Sequence, residues 1–143
     1  MKIYLAGPLF SSAEREWNQR LAGLLRQFGH EVFLPQEEEP RELSARAIFE
    51  TDRQGIDDAD VVVAVMDGPD PDAGTAWECG YAYGKKPIVL IRTDFRRLGR
   101  KGLGPYNPML TESAGMHIEL PSASVEETAG AICRALNDVA QAT

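Results

Sequence analysis

A chain of 143 residues, 43% hydrophobic and 26% charged, has the length and balance of one globular domain, so residues 1–143 are read as a single unit. A net charge of −7, from 22 acidic and 15 basic residues, repels polyanions and argues against DNA or RNA polymers as partners. The two cysteines, Cys79 and Cys133, have no metal-ligand spacing, so neither a disulfide framework nor a metal site is expected.

The opening residues MKIYLAGPLF are too short an apolar run for a membrane span and lack the form of a signal peptide, which makes a cytoplasmic protein the expectation. Within them Lys2 to Ala6 reads as a buried strand ended by Gly7 and Pro8. Ser11 or Ser12 can cap a helix with Trp17, Leu21, Leu24, Leu25 and Phe28 on its inner face, ended by Gly29. Glu31 to Leu34 is a second strand closed by Pro35, and Glu37 to Glu39 read as loop. A second helix runs from Glu42 or Ser44 to Ile56. Asp60 to Met66, β-branched and unbroken, has the character of a central parallel strand. After the turn-rich stretch Asp67 to Asp72, a short helix runs from about Gly74 to Tyr83, and Pro87 to Ile91 is a fourth strand. A basic loop (Arg96, Arg97, Arg100, Lys101) leads to a short helix near Asn107. His117 to Leu120 reads as an edge strand, and Ser124 opens a last helix facing Val125, Ile132, Leu136 and Val139 inward.

This alternation predicts an α/β fold. Its form is a doubly wound (flavodoxin- or Rossmann-like) five-stranded, mostly parallel sheet with helices on both faces. Ligands of such sheets bind outside the carboxyl ends of the strands, which draws attention to Ala6–Phe10, 67–74 and the stretch after Ile91.

Three carboxylates stand out. Glu78 is the one charged residue between Ala73 and Gly84, so it is paired, exposed on a narrow face, or functional. It follows the helix start by a turn, where the partial positive charge favours the ionised form that a nucleophile needs. Asp52 lies on one helical face with Ile48 and Ile56, either as a polar intrusion or as a blurred boundary; Asp57 and Asp58 read as solvated. Asp72, just before a helix, is explained equally by N-capping. Carboxylates converging on one crevice, with no metal motif or Cys/His pair, suit glycosyl transfer or hydrolysis. One would attack the anomeric carbon while another handles the leaving group's proton.

IYLAGPLF at 3–10, DRQGIDDAD at 52–60, DPDAGTAWECGYA at 70–82 and YNPML at 106–110 together resemble the nucleoside 2-deoxyribosyltransferase family. The specific part is the Asp-x-Gly-Thr-x-x-Glu segment at 72–78. The resemblance implies transfer of 2-deoxyribose between nucleobases, with Glu78 as the nucleophile that forms a covalent deoxyribosyl-enzyme. Asp72 and Asp52 would serve the base side, and Tyr4 would orient Glu78. Gly7, Pro8, Phe10 and Gly74 would line the pocket, and a neighbouring subunit would lend Asn107 and Met109. It also implies a homo-oligomer, dimer or hexamer, acting on deoxynucleosides and free bases without a cofactor. Where many relatives carry Asp-Asn after the second strand, Pro35 is followed here by Gln36, an amide that could meet the base. The basic loop raises the alternative of a deoxynucleoside 5′-monophosphate N-hydrolase, and a non-catalytic nucleotide sensor is a further one. A phosphoacceptor receiver would use Asp67 but lacks an acidic pair after the first strand. A flavin-binding carrier lacks the phosphate loop, and no GxGxxG or Walker loop is present.

Overall fold

The computed structural model describes residues 1–142; Thr143, with which the last predicted helix was to end, lies outside them. Five strands, β1 (Lys2–Ala6), β2 (Glu31–Phe33), β3 (Val61–Val65), β4 (Ile88–Arg92) and β5 (Met116–Glu119), form one sheet in the order β2-β1-β3-β4-β5. Every pairing is parallel, so the predicted sheet is parallel throughout. The helices are α1 (Ser12–Gln27), α2 (Ala45–Asp58), α3 (Ala73–Ala82), the short α4 (Pro108–Thr111) and α5 (Val125–Ala142). A 3₁₀ turn, Pro35–Glu37, starts at the proline that closes β2 and takes in Glu37, the first residue of the expected loop, with proline pre-setting its first position.

The strands are apolar on both faces because both faces are covered. One face carries Ile3, Leu5, Val61, Val63, Val65, Val89 and Ile91 against Leu21 and Leu25 of α1 and Ile132 and Leu136 of α5. The other carries Tyr4, Ala6, Val62, Ala64, Ile88 and Leu90 against Ile56 of α2, Cys79 and Ala82 of α3, and Tyr106 and Leu110. Side chains alternate along each strand, so Tyr4 faces α2 and α3 while its neighbours Ile3 and Leu5 face α1 and α5. Each fully buried aliphatic side chain stabilises the fold by about 1.5–3 kcal/mol.

Helix boundaries follow local chemistry. Ser11 caps α1 with a reciprocal box: its hydroxyl accepts from Glu14 N, and Glu14 Oε1 accepts from Ser11 N. Ser124 and Glu127 make the same box at α5. Ser44 caps α2, and Asp72 caps α3. Two predicted inner positions are in fact exposed, Phe28 and Ile48. Phe28 is the C-cap residue of α1, where the chain is already leaving the packed face. Ile48 stands in the first turns of α2, of which only Gly55 and Ile56 near the end are buried. Asp57 is not merely solvated either, since it accepts a hydrogen bond from Tyr81 Oη at 2.9 Å and pairs with Arg53. Among the described residues no helix is long and apolar enough to cross a membrane.

Candidate active site

Tyr4 comes from the middle of β1 and is completely buried. Its ring stacks on Phe33 of the adjacent strand (centroids 5.2 Å apart, planes 16° apart), which fixes where its hydroxyl points. Tyr4 Oη donates to Glu78 Oε1 of α3 at 2.7 Å. Behind this pair α2 approaches β2 closely. A Cβ added at Gly55 would lie 2.7 Å from the Phe33 ring, so only glycine fits there without moving Phe33.

A cavity of about 280 Å³ opens between α2 and α3, lined by Phe49, Asp52, Arg53, Ile56, Gly74, Trp77 and Glu78. Asp52 and Glu78 therefore share one space, which decides that Asp52 is a polar intrusion facing a cavity. Asp72 stands at the same end. Its Oδ2 accepts from Thr75 N at 2.8 Å and Thr75 Oγ1 at 3.0 Å, and a Cβ at Gly74 would lie 3.2 Å from that oxygen. Asp72 is thus an N-cap, and its charge is also felt at Glu78.

Burial pushes the Glu78 carboxyl up to about 7; the Tyr4 hydrogen bond opposes this, and the charges of Asp52 and Asp72 add to it. The expectation that the helix terminus would favour ionisation is therefore overturned. Glu78 stands beyond the first turn of α3, where the dipole effect has faded, and desolvation dominates. Burial likewise raises the Asp52 carboxyl above its ordinary value. The Tyr4 phenol is raised, by burial first and then by the neighbouring Glu78 and Asp52, so it stays a proton donor. Burial with Glu78 beside it pushes the Cys79 thiol up to about 12, which keeps it protonated.

The remaining predicted residues lie apart from this cavity. Pro8 lines a separate cavity of about 530 Å³ between α1 and the ends of β3 and β4. Gly7 sits against Val65, where a Cβ would come within 3.1 Å, and Phe10 is 76% exposed. Gln36 does not face the carboxylates: its Nε2 donates to Arg15 O and its Oε1 accepts from Asn18 Nδ2, so its amide is spent on α1. Asn107 caps α4 through Oδ1, which accepts from Met109 N at 2.9 Å. Met109 is 82% exposed. Neither lines the Glu78 cavity, and both are exposed.

Two of the four cations of the basic loop have acidic partners. Arg96 pairs with Asp94, and Arg97 Nη1 lies 3.6 Å from Glu119 Oε2. Asp67 is no phosphoacceptor, because its carboxylate accepts from Thr93 N, Thr93 Oγ1 and Asp94 N. The sequence reading missed Arg92, which is buried at the end of β4 and donates to Met66 O, Gly68 O and Arg96 O. It also missed Phe49 and Trp77. Their signal was present, since Phe49, Asp52 and Ile56 recur at helical spacing and Trp77 adjoins Glu78.

The family profile of nucleoside 2-deoxyribosyltransferases matches residues 3–127. Among solved structures, a conserved protein from Enterococcus faecalis V583 is 29% identical over 94% of this chain and 98% of its own, with a TM-score of 0.73. A 2-deoxyribosyltransferase from Bacillus psychrosaccharolyticus is 28% identical over 90% of each chain, with a TM-score of 0.71. A CMP N-glycosidase from Clostridium botulinum, 19% identical over 92% of this chain and 98% of its own (TM-score 0.65), shares the fold. No curated protein matches the sequence.

Proposed function

The chain belongs to the nucleoside 2-deoxyribosyltransferase family, and we propose that it transfers 2-deoxyribose between nucleobases through a covalent ester on Glu78. Deoxyribosyl transfer or N-glycoside cleavage is the activity that the family and the structural neighbours support. One observation carries the finer reading. Glu78 is a largely desolvated carboxylate, held by Tyr4, that opens on a cavity shared with a second acid, Asp52.

In the first step a Glu78 carboxylate oxygen attacks C1′ of a deoxynucleoside. The C1′–N bond breaks, its electron pair goes to the base nitrogen, and an acid on the base side, Asp72 or Asp52, supplies the proton. In the second step a nitrogen of an incoming base attacks C1′ and gives up its proton to the same acid. The ester bond breaks with its electrons returning to Glu78. Two inversions give net retention. Tyr4 orients the nucleophile, and its hydroxyl donates to the Glu78 oxygen as negative charge returns there when the ester breaks. Burial, which destabilises the ionised Glu78, raises its reactivity towards a carbon that develops positive charge. Asn107 and Met109 of a second copy would complete the sugar end, since neither reaches its own cavity and both are exposed.

Uncharged deoxynucleosides are the expected substrates. Arg96 and Arg97, the leading cations of the basic loop, are already paired with Asp94 and Glu119, so a 5′-phosphate would have to break those pairs. The test is incubation with deoxyinosine and adenine. Deoxyadenosine formation supports the transferase, free deoxyribose alone points to a hydrolase, and no reaction of deoxyinosine removes the reading.

A further inference from the structure

The wall of the Glu78 cavity is aromatic in a way that neither the nucleophile nor the acids require. Trp77 of α3 and Phe49 of α2 meet at 5.2 Å with planes 62° apart, making a corner rather than a stack, and both line the cavity. Trp77 is 47% exposed, although it lies beside a mostly buried glutamate.

The corner is held rigidly from behind. Tyr81, one turn further along α3, stacks on Trp77 at 5.2 Å with planes 11° apart, and its hydroxyl donates to Asp57 of α2. Lys85 Nζ sits 3.5 Å over the Tyr81 ring, and the Arg46 guanidinium 5.5 Å over Phe49, so a cation closes each end of the ring series. In front of the corner, one turn before Trp77, stands Gly74, where a Cβ would lie 3.2 Å from Asp72 Oδ2. A side chain at 74 would crowd that carboxylate at the edge of the cavity, whose lining also holds Asp52. A flat, apolar-faced, hydrogen-bonding group fits between an aromatic corner and an acid, and a nucleobase is such a group.

Resting on the reading of this cavity as a nucleoside site, we infer that Trp77, backed by Tyr81 and cornered by Phe49, is the stacking platform for the nucleobase and sets a preference for purines. A bicyclic base covers more of the indole than a monocyclic one, so its stacking is stronger. Base–aromatic stacking changes affinity by roughly five- to a hundredfold, which sets the expected scale.

The sequence has two tryptophans, Trp17 and Trp77, so Trp17→Phe leaves Trp77 as the only tryptophan reporter. In that background carrying Glu78→Gln, adenine and deoxyadenosine should quench the fluorescence saturably, and cytosine more weakly. In the otherwise unaltered enzyme, Trp77→Ala should raise KM for purine deoxynucleosides about tenfold or more and erase the purine preference. Its kcat should stay within about threefold, and Trp77→Phe should restore most of the KM. Unchanged KM and base preference in folded Trp77→Ala, or no quench by either purine ligand, overturns the platform. The fluorescence titration needs no turnover. A quench in a protein that exchanges no bases would therefore sink the proposed reaction and keep the platform, whereas exchange without a quench would do the reverse.

Discussion

Glu78→Gln should make the protein more stable while leaving it inactive, and the gain should depend on pH in a defined direction. The Glu78 carboxyl moves from an ordinary 4.5 in the unfolded chain to about 7 in the fold, because burial disfavours its charge. The folded state thus holds the proton more tightly than the unfolded state. The contribution of Glu78 to stability is full below about pH 4.5, is lost as pH rises through about 7, and levels off above. Glutamine matches the protonated acid in shape and still offers Oε1 to the Tyr4 hydroxyl, but it never ionises. At about 1.4 kcal/mol per unit, the shift corresponds to roughly 3 kcal/mol in favour of Glu78→Gln above pH 8, shrinking to nothing near pH 4. For a chain of this size that is on the order of 10 °C in Tm. Thermal melts of both proteins at pH 4, 6 and 8.5, followed by circular dichroism, measure it. Equal or lower stability of the variant at pH 8.5 would refute the reasoning, since Glu78 would then be an ordinary structural partner of Tyr4.

Tyr4→Phe removes the hydrogen bond that opposes the rise, so the acid limb of kcat/KM, expected near pH 7 in the wild type, should move to higher pH as kcat falls; a pH–rate profile reads both. Gly55→Ala should push Phe33 from its place under Tyr4, costing about 1–3 kcal/mol in urea unfolding and lowering kcat more than a distant surface change of equal ΔΔG. Asn107→Ala chains, inactive alone, should regain activity when mixed with inactive Glu78→Gln chains; an active monomer by light scattering would contradict this. Replacing Arg96 and Arg97 by alanine should leave deoxynucleoside kcat/KM unchanged within about threefold. Unaltered enzyme should prefer deoxynucleosides over their 5′-monophosphates by about tenfold or more in side-by-side assays.

The sheet was legible because buried parallel strands carry continuous apolar runs, and Val61–Val65 could hardly be anything else. Helix starts are legible to within a residue or two through capping chemistry that is local in sequence; between Ser11 and Ser12, and between Glu42 and Ser44, the fold selects Ser11 and Ser44. What could not be read depends on partners brought from afar. Arg92 ends a buried strand because carbonyls of Met66 and Gly68 turn towards it, and no pattern around residue 92 announces that. Asp57 looked solvated because its partner Tyr81 lies on another helix. The ionisation of Glu78 was misjudged because its position suggested a dipole, while depth of burial emerges only once α2, α3 and β1 are assembled. Gln36 was offered as a base-reading amide because its place after the second strand is visible, but the direction of its side chain is not.

The central claim is a covalent sugar on Glu78, and peptide mapping after rapid acid quench tests it most directly. Enzyme mixed with excess deoxyinosine and no acceptor base is quenched, digested with pepsin and sequenced by tandem mass spectrometry. A deoxyribosyl adduct is expected on the peptide containing Trp77–Glu78–Cys79, localised to Glu78, and discharged when adenine is added before the quench. Release of hypoxanthine without any adduct there, or an adduct on another residue, would contradict the account.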